Sequence, residues 1–249
     1  MLNLRPLQAS LYRPAFFRQS LNLSSNRFYH SYEHDQAPPF NPTEDRILSA
    51  ALSHVPTYGF TVTALTKGVR DVGYLDVSTN LFPTGAFSII QYYLVIQRLA
   101  LAEHAQSSTE SHGDVLSNVR TLALRRLHVN KPIIHHWQEA LALLATPKNL
   151  PTSVRELARL SDEILFLAGS TTVSSAWYTN RAALAAIYAS TELFMTTDTS
   201  KGFVETEEFL TRRLHEGENI RSAVGAVGAW AGMQAGGLLD GLRSKGIWI

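Results

Sequence analysis

From about position 43 to position 215, apolar residues recur at intervals of three and four, with polar residues between them and Gly or Pro at the interruptions. That spacing gathers apolar side chains on one face of successive α-helices. Sustained apolar/polar alternation with tight hairpin turns, the mark of half-buried strands, is missing. Thr43-Glu44-Asp45 opens a first helix carrying Ile47, Leu48, Ala51, Leu52 and Val55, which Pro56 and Gly59 are expected to end. Further helices are predicted over 62–72, 75–81 and 85–104. A polar loop at 106–114 follows, then helices over 115–130, 133–145 and, after a Pro-rich turn at 147–151, over 152–168. A Ser/Thr loop at 169–175 leads into a long helical run through Trp177 to Met195, and residues 205–215 form another amphipathic helix. The expected architecture is all-α, a bundle of about nine or ten helices around one core.

The two ends differ from this middle. Residues 1–32 contain no Asp or Glu, while Arg5, Arg13, Arg18 and Arg27 are spread among serines and scattered Leu and Phe. That is the composition of a mitochondrial transit peptide, and no continuous apolar run of secretory type is present. Residues 33–42, with Pro38, Pro39 and Pro42, read as a linker to a helical domain over 43–215. The last segment, 216–249, is rich in Gly and Ala and carries no formal charge from Ala223 to Leu239. Ile220, Val224, Val227, Ala231, Leu238 and Leu242 form a narrow apolar stripe on a helical wheel. Three readings stay open here: an amphipathic helix lying on a membrane, a helix packing on a partner, and an unfolded tail.

Charge and chemistry narrow the function. With 22 Lys+Arg against 21 Asp+Glu, no overall field draws the chain to nucleic acid. The absence of Cys removes disulfides, thiolate metal sites and cysteine nucleophiles. No phosphate-binding loop, dinucleotide fingerprint or nucleophile elbow occurs. No Glu is followed three residues later by His, so the paired ligands of a di-iron bundle are lacking as well. His135 and His136 are adjacent and project from different helix faces, which is unsuited to holding one metal. The reading is a non-enzymatic protein without a cofactor.

The run from Trp177 to Met195 is apolar almost all round, as a central helix should be. Yet Arg181, Ala185, Tyr188 and Glu192 share one face by spacing. Buried charge is costly unless paired or liganded. Either Arg181 bonds Glu192 or a neighbouring helix in a structural network, or a polar head group meets this face at the mouth of an apolar cavity.

Three blocks carry a resemblance. They are Arg46 through Pro56 with Tyr58-Gly59-Phe60-Thr61; His136-Trp137 through Leu141 to Pro147-Lys148-Asn149-Leu150-Pro151; and Trp177-Tyr178-Thr179-Asn180-Arg181 with the helix behind it. Together and in order they resemble the family of accessory proteins of ubiquinone (coenzyme Q) biosynthesis, mitochondrial lipid-binding proteins of TetR-like fold. The resemblance implies a helix-turn-helix-like N-terminal part and a terminal amphipathic helix that engages the mitochondrial inner membrane from the matrix side. It implies an isoprenoid quinone precursor or a phospholipid held in the bundle and presented to the di-iron hydroxylase of the pathway. Arg181 matches a head-group contact, with Leu184, Ile187, Tyr188 and Glu192 expected around the ligand. Trp177 and Tyr178 match positions that bind the hydroxylase, and Ser174 stands where some relatives carry an acid. TetR-like bundles also form dimers, so a homodimer is possible. The rival reading is a TetR-type DNA-binding regulator. Against it, residues 44–104 hold the cations Arg46, Lys67, Arg70 and Arg98 and the acids Glu44, Asp45, Asp71, Asp76 and Glu103. Phosphate neutralisation needs the opposite balance.

Overall fold

Every regular element is helical among the residues that the computed structural model describes, 40–107, 114–170 and 176–217. The helices are α1 (Pro42–Tyr58), α2 (Val62–Asp71), α3 (Ala86–Ser107), α4 (Val115–His128), α5 (Ile134–Leu144), α6 (Leu150–Leu167) and α7 (Ala176–Met195). An eighth, α8, covers 204–217. The expected transit segment, most of the expected linker and almost all of the Gly/Ala-rich segment lie outside the described residues.

Local chemistry explains most boundaries. Glu44 accepts a hydrogen bond from the Asn41 N–H at 3.0 Å, which together with Pro42 starts α1. Thr61 Oγ1 accepts from the Ala64 N–H at 3.3 Å to start α2. Two predicted boundaries move at prolines. α1 runs through Pro56 to Tyr58, because a proline in the last turn forfeits only one helical bond. α6 begins at Leu150 and takes Pro151 into its first turn, where its missing N–H has no partner to lose.

The predicted helix at 75–81 is instead a 3₁₀ stretch, Asp76–Leu81. Ser78, Thr79 and Asn80 are weak helix formers, and Pro83 restricts the residue before it. The second helix of the expected helix-turn-helix pair is thus one tight stretch, displaying Leu75 (77% exposed), Val77 and Leu81 to solvent. Arg70 is held on it, donating from Nε and Nη2 to Asp76 Oδ1 and Oδ2 at 2.7 and 2.6 Å.

The single core expected from the pattern divides into two clusters. The first joins Ile47, Leu48, Ala51 and Val55 of α1 to Leu65 and Val69 of α2, Ile89, Ile90 and Tyr93 of α3 and Trp137 of α5. Phe60, Tyr93 and Trp137 meet edge-to-face in a triangle, with centroids 5.4 to 6.1 Å apart. α1 and α2 approach so closely that a Cβ on Gly68 would lie 2.5 Å from the Ala51 backbone nitrogen. The second cluster packs Leu101 of α3, Ala123 and Leu127 of α4, Leu160 and Ile164 of α6, Leu184 and Tyr188 of α7, and Leu210 of α8.

Candidate functional site

Between the two clusters lies a seam of polar side chains removed from water. Asn130, fully buried just past α4, is its hub. Its Oδ1 accepts from Tyr93 Oη at 2.9 Å and from Arg126 Nη1 at 3.1 Å. Its Nδ2 donates to Glu192 Oε1 at 3.0 Å, and Tyr188 Oη reaches the same oxygen at 3.4 Å. Arg126 also stands over the Tyr93 ring, 5.5 Å from its centroid. Tyr93 belongs to the first cluster and Tyr188 to the second, so the network stitches the two together.

The electrostatics follow from burial. Desolvation pushes the Glu192 carboxyl above the ordinary carboxylate range, and Arg126 only partly opposes it. Burial also lifts the Tyr188 phenol well above its usual value and takes Tyr93 to about 12. Burial works against a charged Arg126, but Tyr188, Glu192, Tyr93 and Glu156 outweigh it and keep the guanidinium protonated.

This seam forms the floor of a cleft of about 210 Å³. Its walls are almost entirely apolar: Leu141 and Leu144 of α5, Val154, Leu157 and Leu160 of α6, and Ala189 of α7. Leu150 and Val154, 46% and 55% exposed, edge it where it meets solvent. Arg126, Glu156, Tyr188 and Glu192 supply the polar atoms. Glu156 is engaged by Arg98 Nε at 2.6 Å and by Arg159 Nη1 at 3.6 Å. An apolar cleft with a few convergent polar groups at one end is the usual form of a small-molecule site.

The residues singled out in the sequence separate here. Tyr188 and Glu192 line the cleft. Leu184 is buried in the second cluster, and Ile187 packs against it from a half-buried position. Arg181 bonds neither Glu192 nor the cleft floor; it donates to Asp162 Oδ1 from Nε at 2.5 Å and from Nη2, tying α7 to α6. Tyr178 is 74% exposed near the start of α7, while the Trp177 side chain lies outside the described part. Sequence reasoning missed Arg126, Asn130 and Glu156. A signal existed: Val119, Ala123, Arg126 and Asn130 follow one another at helical spacing, placing a cation and an amide on the buried face of α4. The His135 and His136 rings lie tilted against each other by 49° with centroids 4.1 Å apart, and His135 Nε2 lies 3.2 Å from the Pro56 carbonyl. Among the described residues no three His, Asp or Glu side chains gather in a way that could hold a metal.

Fold and cleft define an all-helical protein whose apolar pocket ends in a buried polar network. Comparison with known proteins gives the class its family. The profile "Ubiquinone biosynthesis protein COQ9, N-terminal domain" matches residues 43–70, across α1 and α2, and the profile "COQ9" matches residues 150–221, from α6 onward. A Schizosaccharomyces pombe protein named ubiquinone biosynthesis protein coq9, mitochondrial, is 37% identical over 224 residues, covering 89% of this chain and 88% of that one. The Drosophila melanogaster and Homo sapiens proteins named ubiquinone biosynthesis protein COQ9, mitochondrial, are 34% and 32% identical over 71% of this chain. The match spans 55% and 58% of those two proteins. The chain belongs to the COQ9 family of ubiquinone biosynthesis proteins.

Proposed function

We propose that this protein is a non-catalytic, lipid-binding accessory factor of ubiquinone biosynthesis in mitochondria. It takes up an isoprenoid quinone precursor in the cleft between α5, α6 and α7 and supplies it to the di-iron hydroxylase of the pathway at the matrix face of the inner membrane. The observation that carries this reading is the cleft itself, greasy along its walls and polar only at its floor. A polyprenylated ring needs both surfaces, because its tail is expelled by water and its oxygens need hydrogen-bond partners. The names of the relatives supply the pathway and the compartment. In this reading Tyr188 and Glu192 lie at the ligand, and Leu184 and Ile187 back the helix that presents them. The Arg181–Asp162 pair holds that helix in place, and Trp177 and Tyr178 offer aromatic anchors to the hydroxylase.

The same helices disfavour the regulator reading. Of its four available cations, Arg70 is bound to Asp76 and Arg98 is engaged with Glu156. The surface where a recognition helix would stand carries Leu75, Val77 and Leu81.

Native mass spectrometry with lipid extraction tests the proposal. The wild-type chain is expected to carry isoprenoid quinone or phospholipid. Leu157→Glu, which sets a charge on the cleft wall, is expected to lose it while the helical circular dichroism persists. A folded wild-type protein that carries no lipid and takes up none from vesicles would refute the proposal.

A further inference from the structure

Arg126 is not satisfied by the described residues of its own protein. It is 1% exposed and lines the cleft, yet among the described residues its Nε and Nη2 have no hydrogen-bond partner and Nη1 alone is engaged, on Asn130. Buried donors are almost always paired, because leaving one unmet forfeits its hydration without return. Nε and Nη2 also form a single edge of the guanidinium, whose parallel N–H bonds accept two neighbouring oxygens at once. The molecule shows that use elsewhere: Arg70 spends the same edge on both oxygens of Asp76. In Arg126 the edge is buried, charged and unclaimed by any described residue.

Charges around the edge narrow what can fill it. From α6 the cleft is faced by Glu156, which Arg98 of α3 already compensates at 2.6 Å. From α7 it is faced by Glu192, coupled to Arg126 through Asn130. In the cleft lining itself one cation, Arg126, faces two carboxylates, so an anionic head group would add a further negative charge beside them. Position settles the direction: the polar floor is buried, whereas Leu150 and Val154 at the outer edge are exposed and apolar.

We propose, building on the lipid-binding reading above, that the free edge of Arg126 receives two adjacent oxygens of a neutral ring. The ligand lies head inward, and its apolar tail leaves past Leu150 and Val154. The class of ligand is a neutral lipid with vicinal carbonyl or ether oxygens, not an anionic phospholipid.

The test is a set of native mass spectrometry titrations of the full chain with three probes. These are a dimethoxy-methyl-benzoquinone bearing two isoprene units, the matching two-isoprene hydrocarbon without a ring, and a short-chain phosphatidylglycerol. Arg126→Gln is expected to weaken the quinone at least tenfold and the hydrocarbon less than threefold. Arg126→Lys, which keeps the charge without the fork, is expected to weaken the quinone to a smaller extent; it serves as the second variant if the glutamine protein fails to fold. Glu192→Gln, which removes a facing carboxylate, is expected to strengthen phosphatidylglycerol at least fivefold. Equal loss of quinone and hydrocarbon would make Arg126 a structural residue and overturn the proposal. So would unchanged quinone binding, or wild-type binding of phosphatidylglycerol that depends on Arg126 as strongly as quinone binding does. Failure of all three probes on the wild type would instead strike the lipid-binding reading on which this one stands.

Discussion

The two core clusters are built from similar apolar residues and meet opposite demands. Around α1, α2 and Trp137 the packing is sealed: aromatic rings interlock, and a glycine is set against backbone where a methyl group has no room. Around α4, α6 and α7 the interior carries Arg126, Asn130, Glu156 and Glu192 and leaves a cleft beside them. A dense apolar interior maximises stability. One that keeps charges and space gives some of it up, a concession that the proposed lipid binding would put to use. The same chain does both by confining the concession to one side of a single polar seam.

Substitutions should expose that division. Trp137→Ala removes the largest fully buried side chain from the sealed cluster. It is expected to cost about 4 kcal/mol, lowering Tm by roughly 8–16 °C in a thermal melt. Gly68→Ala places its Cβ 2.5 Å from the Ala51 nitrogen and is expected to cost about 2–3 kcal/mol by denaturant titration. Because that contact is with backbone, adding Ala51→Gly should not restore the loss; full restoration would show that the helices can move apart.

On the open side the effects shrink. Asp162→Asn strips the carboxylate from Arg181, and the pair keeps some solvent, 10% and 19% exposed. A cost of about 2 kcal/mol is expected, with α6 and α7 losing hydrogen-exchange protection before α1 and α2. Glu192→Gln tests the seam through pH. The folded carboxyl holds its proton to higher pH than the unfolded one does, so this group's contribution favours folding as pH falls through the raised value toward the ordinary 4.5 and then levels off. The glutamine variant should lack that rise when Tm is followed from pH 7 down to pH 4.5. Tyr178→Ala should move stability by no more than about 0.5 kcal/mol, since the ring is exposed. Its expected loss is instead in affinity for the hydroxylase, measured by biolayer interferometry.

Periodicity made the amphipathic helices legible, and the long apolar runs of α3 and α7 marked the central ones. It overran at 75–81, where three poor helix formers and a following proline tipped the backbone into 3₁₀ geometry. Tyr188 and Glu192 were readable because a polar stripe in a greasy helix is conspicuous. The partner of Arg181 was not, since spacing along one helix cannot reveal that Asp162 of α6 stands opposite. Arg126 was hidden differently. It sits beside Arg125 in a helix whose last turn is basic, and that is how a solvated helix end also looks.

The tie between Arg181 and Asp162 has a mechanical meaning. Tyr178 and Glu192 are fourteen residues apart on α7, about 21 Å along one stiff rod, and the tie grips that rod between them. Under the proposed function, a partner that docks on Tyr178 would touch the same rod that carries Tyr188 and Glu192 at the floor of the cleft. Docking outside and binding inside would then share one helix.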